Sequence, residues 1–279
     1  MLKFLTYTHI FIAFSAAVLT IGTGLRFGNI GHLLPYLVLI FFATLADYNW
    51  HRFLKVKLSV EVKEKNRWAQ ENNLLILILA ISGTFGLLVS ACFVPFEIIE
   101  WLVLLGFLTL FYSFPFQRLG WHWMDVRKIP ALKTLLIAFT WTMATLYLPY
   151  LLSNKSEHTT YLILLFAERF LFIFAITIPF DSKDIEEDKK AGWETLPVLL
   201  GINNATKVSY AALTWMMILS VLSLLFKPTD LGGYAGIVAG LYTIFLLQRK
   251  TLKTDPLYYA FYLDGTILLL GLMLIALGI

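Results

Sequence analysis

The 279-residue sequence has little charge and one cysteine. Only 14% of its residues are Asp, Glu, Lys or Arg, against about 25% in soluble proteins. The single cysteine, Cys92, excludes a disulfide within the chain, and no CxxC or Cys/His cluster indicates zinc or haem. The sequence also lacks glycine-rich phosphate loops and the GxSxG and HExxH motifs, which argues against nucleotide-driven and hydrolytic enzymes.

Hydrophobic residues are correspondingly abundant. They make up 59% of the chain, and the mean hydropathy is +0.76. The charged residues cluster in short segments between apolar runs of about 20 residues, the length that crosses a hydrocarbon core. The sequence therefore predicts an integral membrane protein, and it excludes soluble, fibrous and disordered classes. The net charge of +4 is better explained by membrane topology than by a nucleic-acid partner.

The apolar runs predict one polytopic domain spanning residues 1–279. Backbone groups in lipid must be satisfied within the segment, so the runs should form an all-α bundle of nine transmembrane helices. We read the first run as a retained helix rather than a cleaved signal peptide. The predicted spans are 4–25, 33–54, 73–94, 96–114, 131–152, 161–181, 207–226, 231–248 and 257–278.

The distribution of basic residues predicts the orientation of the bundle. With the N-terminus in the cytoplasm, 18 Lys and Arg residues lie inside, three (Arg26, Lys155 and Lys227) lie outside, and Arg169 lies within a helix. The positive-inside rule therefore favours a cytoplasmic N-terminus and an external C-terminus. The long, charged loops follow predicted helices 2, 4 and 6, so we expect the functional loops of this multi-pass protein on the cytoplasmic face.

The densest acidic segment follows predicted helix 6. If the helix continues through it, Asp181, Asp184 and Asp188 fall at i, i+3 and i+7, on one face where like charges repel unless a cation joins them. Oxygen ligands of this kind suit Mg²⁺, which proteins usually hold with one or two carboxylates plus substrate phosphates. A solvated acidic turn that merely ends the helix explains the spacing equally well.

The residues that follow this segment carry a more specific signal. The sequence resembles the second aspartate-rich motif of the UbiA family of intramembrane prenyltransferases, through Asp184, Asp188, Lys189, Gly192, Thr195, Leu196, Pro197 and Gly201. The resemblance covers nearly the whole chain and implies the family's nine-helix fold, with aspartate motifs after helices 2 and 6. It implies that Asp181, Asp184 and Asp188 bind Mg²⁺ and that Asp184 and Asp188 are catalytic.

Two further segments are compared with the family pattern. The stretch Tyr112–Leu119 and onward to Lys133 looks like the basic segment after helix 4, which implies that Arg118 and Lys133 contact the diphosphate. After helix 2 the family has NDxxDxxxD, but here only Asp47 survives, as a residual metal ligand. Asn49 and Arg52 are candidate diphosphate contacts in place of the lost carboxylates. The ordinary alternative for Arg52 is its contribution to membrane topology.

The resemblance implies a transferase that moves an isoprenoid chain from a prenyl diphosphate to a lipophilic acceptor in the membrane, with an aromatic acceptor favoured. The degenerate first motif keeps open a non-catalytic relative that binds isoprenoid or diphosphate or acts as a scaffold. A transporter is a third class, supported only by Glu168, Arg169 and Asp264 within predicted helices, with Asp264 a candidate partner of Arg169. The partners implied are membrane lipids and these two substrates; no protein partner is indicated.

Overall fold

The computed structural model describes residues 1–28, 33–58, 64–113, 129–153, 157–249, 255 and 257–278. Within these ranges the chain is all-helical, without strands. The α-helices are α1 Leu2–Tyr7, α2 Ile10–Arg26, α3 Leu34–Leu58, α4 Glu64–Glu71, α5 Asn73–Ala91, α6 Phe96–Ser113, α7 Leu132–Thr142, α8 Leu148–Leu151, α9 Thr159–Lys183, α10 Ile185–Ala191, α11 Leu196–Phe226, α12 Gly232–Gln248 and α13 Asp264–Gly278. Two π-helical turns, Met143–Tyr147 and Tyr258–Leu263, connect α7 to α8 and precede α13.

Five helical segments of the described chain are long and apolar enough to cross a membrane. They are Asn73–Ala91, Leu132–Leu151, Thr159–Lys183, Leu196–Phe226 and Tyr258–Gly278. Two shorter apolar helices, α2 and α12, lie among them. The prediction of an all-helical, multi-pass membrane protein is therefore confirmed.

The helices pack side by side into a bundle with a shared apolar core. Helix α2 packs on α3 and α13, and the series continues through α12, α11, α9 and α7. The approach of α2 to α13 is very close: a Cβ built on Gly22 meets the backbone oxygen of Gly271 at 2.7 Å. A Cβ on Gly271 meets the backbone of Leu19 at the same distance. Glycines on both helices thus allow the backbones to touch, as is common between transmembrane helices.

The first predicted span is interrupted in the structure. Instead of one helix over 4–25, α1 ends at Tyr7 and α2 begins at Ile10, with His9 in the left-handed region at φ 60°. The amide Nδ2 of Asn49 on α3 donates to the backbone oxygen of Thr8 at 3.0 Å. A side chain from another helix therefore compensates for the break in the helical hydrogen bonds.

Helix α11 begins eleven residues before the predicted span 207–226. Thr195 is its N-cap residue and Pro197 lies in its first turn, where a missing N–H costs nothing. The helix is bent at Gly201, whose φ of 76° lies in the region that favours glycine. Polar residues around Asn203 concealed this first part of the helix from a reading based on hydropathy.

Side-chain contacts define two ends of the bundle. At one end, which we call the aspartate end, α9 finishes beside the start of α7, and α10 lies beside the end of α3. At the other, the arginine end, the last residue of α2 contacts the start of α9 and the loop before α12. The two ends hold most of the buried charged groups of the described chain.

Candidate functional site

Asp181, on the last turn of α9, is bound from two sides at the aspartate end. Its side chain is only 1% exposed. The ammonium of Lys133 lies 2.7 Å from Oδ1, and the hydroxyl of Thr134 donates to Oδ2 at 2.8 Å. Lys133 and Thr134 are adjacent in the first turn of α7, so the start of one helix holds the carboxylate at the end of another.

Asp184 and Asp188 follow one turn apart. Asp184 lies at the junction of α9 and α10 and is half-buried, whereas Asp188 within α10 is buried. The hydroxyl of Thr195 donates to Asp188 Oδ2 at 3.1 Å. Gly192, with φ 69°, ends α10 and lets the chain turn, so that the amide of Trp193 reaches the backbone oxygen of Asp188 at 2.9 Å. The residues between Asp188 and Thr195 thus form a compact turn that fixes the Asp188 side chain.

The electrostatics of Asp188 reflect the charged groups around it. Burial raises the pKa of Asp188, and the positive charge of Lys133 opposes that increase. The negative charges of Asp181 and Asp184 raise the pKa further. One lysine ammonium therefore serves a cluster of carboxylates, and an additional cation would stabilise their charged forms.

Mg²⁺ takes oxygen ligands and is often held by only one or two protein carboxylates. Asp184 and Asp188 supply such a pair on successive turns. Both oxygens of Asp181 already accept hydrogen bonds from Lys133 and Thr134. Among the described residues, no three His, Cys, Asp or Glu side chains are close enough together to form a complete metal site. The residues thus fit a magnesium ion that shares its ligands with a phosphate group.

The side chains at the positions of the first aspartate motif contact the start of α2. Asn49 is fully buried, and its Nδ2 donates to the backbone oxygens of Leu45 and Thr8. Its Oδ1 lies 3.4 Å from Nδ1 of His9, and Nη1 of Arg52 lies 3.3 Å from Nε2 of the same ring. These side chains attach α3 to the start of α2, so a contact of Asn49 or Arg52 with diphosphate stays a prediction.

Asp47 and Lys55 lie on the same helix as these residues. The carboxylate of Asp47 pairs with His51, one turn along α3, at 3.0 Å and with about a third of each side chain exposed. At the end of α3, Lys55 forms an ion pair of 3.2 Å with Glu187 of α10. The structure therefore brings the end of α3 next to the second aspartate segment, although Asp47 is bound within its own helix.

Arg118, the other predicted diphosphate contact, lies outside the described residues. Among the residues that are described, sequence reasoning did not identify Thr134 or the role of the Thr195 hydroxyl. Thr134 is the immediate neighbour of Lys133, and Thr195 lies seven residues after Asp188 in the Thr-Leu-Pro segment. A search for hydroxyl side chains beside predicted charged ligands would have selected Thr134, whereas the contact of Thr195 depends on the turn between it and Asp188.

Aromatic side chains border the aspartate end. The π-helical turn before α13 carries Tyr259, whose ring lies 5.5 Å from that of Phe180 and 4.9 Å from the ammonium of Lys183. Tyr259 is within electrostatic reach of Asp184. π-Helical turns occur often at functional sites, and this one places an aromatic face beside the carboxylates.

A second charged cluster lies at the arginine end. Arg26 Nε donates to Asp230 at 2.8 Å, and its Nη2 lies 3.3 Å from the hydroxyl of Tyr161, which also donates to Asp230. Deeper in the bundle, Arg169 donates to Thr145 Oγ1 at 3.1 Å and to Thr23 Oγ1 at 3.3 Å. These contacts join α2, α7 with its π-helical turn, α9 and the loop before α12. Sequence reasoning assigned Arg26 only to an external loop.

Comparison with known proteins gives a consistent result. The sequence model of the UbiA prenyltransferase family matches residues 70–265. A UbiA homologue from Archaeoglobus fulgidus bound to GPP and Mg²⁺ superposes with a TM-score of 0.67 at 17% identity, covering 98% of this chain and 99% of the other.

Two further solved structures have the same fold. A UbiA homologue from Aeropyrum pernix K1 without ligand has a TM-score of 0.69 at 13% identity, covering 95% and 98% of the two chains. A digeranylgeranylglyceryl phosphate synthase has a TM-score of 0.55 at 15% identity, covering 100% and 99%. Comparison with curated protein sequences finds no match.

Proposed function

Since this chain belongs to the UbiA prenyltransferase family, we propose that it transfers an isoprenoid chain from a prenyl diphosphate to a lipophilic, aromatic acceptor within the membrane. The observation that carries the proposal is the aspartate end. There, Asp188 lies within electrostatic reach of Asp184 and of the Lys133–Asp181 pair, which supports this assignment. The bound GPP and Mg²⁺ of the Archaeoglobus fulgidus homologue support the same substrate class and metal for this chain.

The proposal includes the topology predicted from the sequence. We infer one domain over residues 1–279 with nine transmembrane helices, a cytoplasmic N-terminus and the aspartate end on the cytoplasmic face. This orientation would bring the aspartate end to water-soluble Mg²⁺ and diphosphate, while the isoprenoid chain stays in the apolar bundle.

Three residues of the aspartate end would have direct roles in the proposed reaction. The allylic carbon–oxygen bond breaks, its electron pair stays on the diphosphate, and an acceptor carbon bonds to the allylic carbon and then loses a proton. Asp184 and Asp188 would hold Mg²⁺, which when bound neutralises charge on the diphosphate. Lys133 would add a positive charge beside the leaving group, where negative charge develops in the transition state. Asp47 remains a proposed Mg²⁺ ligand, and Asn49, Arg52 and Arg118 remain proposed contacts of the diphosphate.

The surrounding bundle would protect the allylic cation from water. The core next to the site is apolar, with Phe172, Ile173 and Ile176 buried on α9 within two to three turns of Asp181. Tyr259 and Phe180 offer aromatic faces, which attract cations. Excluding water matters here because water would capture the cation in place of the acceptor.

A non-catalytic relative is the second candidate, and a specific observation favours it. Asn49 is fully buried and turned toward the start of α2, and the first motif keeps only Asp47 of its expected carboxylates. A chain with one metal site would bind a prenyl diphosphate with Mg²⁺ without breaking the carbon–oxygen bond.

Pyrophosphate release separates the two candidates. The purified protein in lipid nanodiscs would be given several prenyl diphosphates and a pool of aromatic acceptors, with and without Mg²⁺, beside an Asp184→Asn/Asp188→Asn variant. Release that requires Mg²⁺ and disappears in the variant supports the transferase. Binding of prenyl diphosphate that requires Mg²⁺ but yields no pyrophosphate supports the non-catalytic relative, and unchanged release in the variant rejects the assigned residues.

A further inference from the structure

The pairing of Asp181 differs from that of the other two aspartates. Both oxygens of Asp181 are bound, Oδ1 by the Lys133 ammonium at 2.7 Å and Oδ2 by the Thr134 hydroxyl at 2.8 Å. Asp188 instead accepts from a neutral hydroxyl, that of Thr195. Asp181 therefore already has a cation at one of the oxygens that a metal ion would need. The hydrogen bond described for Asp188 comes from an uncharged donor.

Lys133 is suited to leave Asp181 when another anion arrives. Its side chain is 27% exposed, while that of Asp181 is 1% exposed, so the ammonium approaches the carboxylate from the open side of the site. Lysine carries its charge on a flexible stem with three rotatable donors and moves between anions more easily than the planar guanidinium of arginine. Thr134 would keep Asp181 oriented after the ammonium has left.

The charges around Lys133 favour an exchange with a diphosphate and its metal ion over an exchange with a metal ion alone. Lys133 lies within electrostatic reach of Asp188 as well as in contact with Asp181. A metal ion arriving alone would meet this ammonium and be repelled by it. A diphosphate arriving with the metal would attract the ammonium and so release a carboxylate oxygen at the moment when the metal needs it.

We propose that Lys133 is an exchangeable counter-cation: it neutralises Asp181 before substrate binds and moves to the diphosphate on binding, which makes Asp181 available to Mg²⁺. This inference rests on the proposed function, because it assumes a diphosphate substrate at the aspartate end. It predicts that metal and diphosphate bind cooperatively, each raising the affinity for the other by the same factor.

Metal binding without turnover tests the exchange. Mn²⁺, a paramagnetic substitute for Mg²⁺, would be titrated into the full-length protein in nanodiscs and followed by electron paramagnetic resonance, with and without inorganic pyrophosphate corrected for the Mn²⁺ that pyrophosphate binds in solution. For the wild type we expect pyrophosphate to raise the Mn²⁺ affinity by about tenfold or more, within the range of known couplings. Equal affinity in both conditions, or no Mn²⁺ binding in either, would overturn the exchange.

Three variants identify Lys133 as the cause. In Lys133→Met we expect Mn²⁺ alone to bind more tightly than in the wild type, and the enhancement by pyrophosphate to be largely lost. Lys133→Arg keeps the charge but pairs with Asp181 through the less mobile guanidinium, so the enhancement should shrink without vanishing. Lys55→Met removes a more exposed lysine, which pairs with Glu187, and serves as the matched control that retains wild-type coupling. Weaker binding of Mn²⁺ alone to Lys133→Met would contradict the proposal, and so would loss of coupling in Lys55→Met.

Folding and function are checked separately. Thermal unfolding of Lys133→Met shows whether this variant is folded. If it is not folded, the size of the pyrophosphate enhancement in Lys133→Arg tests the exchange independently. A protein that shows the coupling but releases no pyrophosphate would refute the transferase and keep the exchange. A protein that releases pyrophosphate without any coupling would refute the exchange alone.

Discussion

The two ends of the bundle use buried charge in opposite ways. At the arginine end, Arg26 is held by Asp230 and Tyr161, and Arg169 by hydroxyls of two other helices, so each cation has fixed partners from several elements. At the aspartate end, the ammonium of Lys133 contacts Asp181 and lies within electrostatic reach of Asp188, which is also within reach of Asp184. In the first arrangement both cations have hydrogen-bond partners inside the protein. In the second, carboxylates lie close together at the junction of two helices, where a further cation would stabilise their charged forms.

The two ends differ in what their charges do. Those of the arginine end hold helices together, whereas those of the aspartate end would be neutralised by a ligand. Charged groups inside a membrane protein are costly and are functional candidates by default. A network with matched charges from different helices is nevertheless explained by structure alone. A group of carboxylates at the junction of two helices is not, because their mutual repulsion has to be relieved by a bound cation or by protonation.

The largest expected effect is on stability, at the arginine end. Arg26→Leu leaves the buried carboxylate of Asp230 without its cation, and breaking a buried pair in this way costs about 3–5 kcal/mol. We expect a correspondingly lower unfolding temperature in detergent or nanodiscs, with pyrophosphate release per folded molecule unchanged. An Arg26→Leu/Asp230→Leu double variant should recover part of the loss, since Asp230 is no longer left without its cation and Glu168, which also lies within electrostatic reach of Arg26, keeps Arg169. A stable but inactive Arg26→Leu protein would mean that this end takes part in the chemistry or in transport.

The next effect is on activity, at the aspartate end. Asp188→Asn keeps the shape of the side chain but removes a negative charge from the proposed metal site. We expect the rate of pyrophosphate release to fall by about 10²–10³-fold, the loss typical when one stabilising group is removed from an active site. The unfolding temperature should stay near that of the wild type or rise, because removing a carboxylate reduces repulsion. A destabilised protein with normal activity per folded molecule would place Asp188 among the structural charges.

A smaller effect tests how tightly the arginine end is closed. A Cβ on Gly236 of α12 would collide with Ser220 Oγ and Glu168 Oε1. Gly236→Ala should therefore destabilise the fold by about 1–3 kcal/mol, the usual cost of overpacking. Gly106 of α6 has open space around its Cβ position, so Gly106→Ala is the matched control and should be neutral or slightly stabilising. Similar unfolding temperatures for the two variants would show that α12 adjusts easily.

The smallest effect concerns the orientation of Asp188. Thr195→Val removes the hydroxyl that donates to Oδ2 and keeps the shape of the side chain. A lost hydrogen bond to a charged group is worth about 1.5–3 kcal/mol at most and less where the group gains other partners. We expect the apparent affinity for Mg²⁺ to fall several-fold, measured as a higher Mg²⁺ concentration for half-maximal pyrophosphate release. Thr195→Ser should behave like the wild type, and equal impairment in both variants would argue against the hydroxyl.

Features of the fold and site could be predicted from the sequence where residues close together in the chain determine them. The apolar runs predict membrane helices because the lipid imposes their length. The spacing of Asp181, Asp184 and Asp188 predicts one helical face only if a single helix runs through all three, but α9 ends at Lys183 and α10 begins at Ile185. Their shared site stays a prediction. The family resemblance extends these signals to the whole chain, and the match over residues 70–265 confirms it.

What the sequence does not predict depends on contacts between distant segments. Lys133 and Asp181 are separated by 48 positions, so their pairing follows from the packing of α7 on α9. The break at His9 depends on Asn49, 40 positions away, which replaces the lost helical partner of Thr8. Arg26 appears as an ordinary loop cation until the fold places Asp230 beside it. Each of these side chains is unremarkable in composition and acquires its role only through tertiary structure.

The π-helical turn Tyr258–Leu263 has a consequence for how this region tolerates insertions and deletions. A π-helical turn holds one residue more than an α-helical turn, with hydrogen bonds spanning five residues instead of four. Deleting one residue there would let the turn wind as ordinary α-helix and would change which side chains of the turn face the aspartate end. The aromatic face of Tyr259 beside Asp184 therefore depends on the number of residues in this turn as much as on their identity.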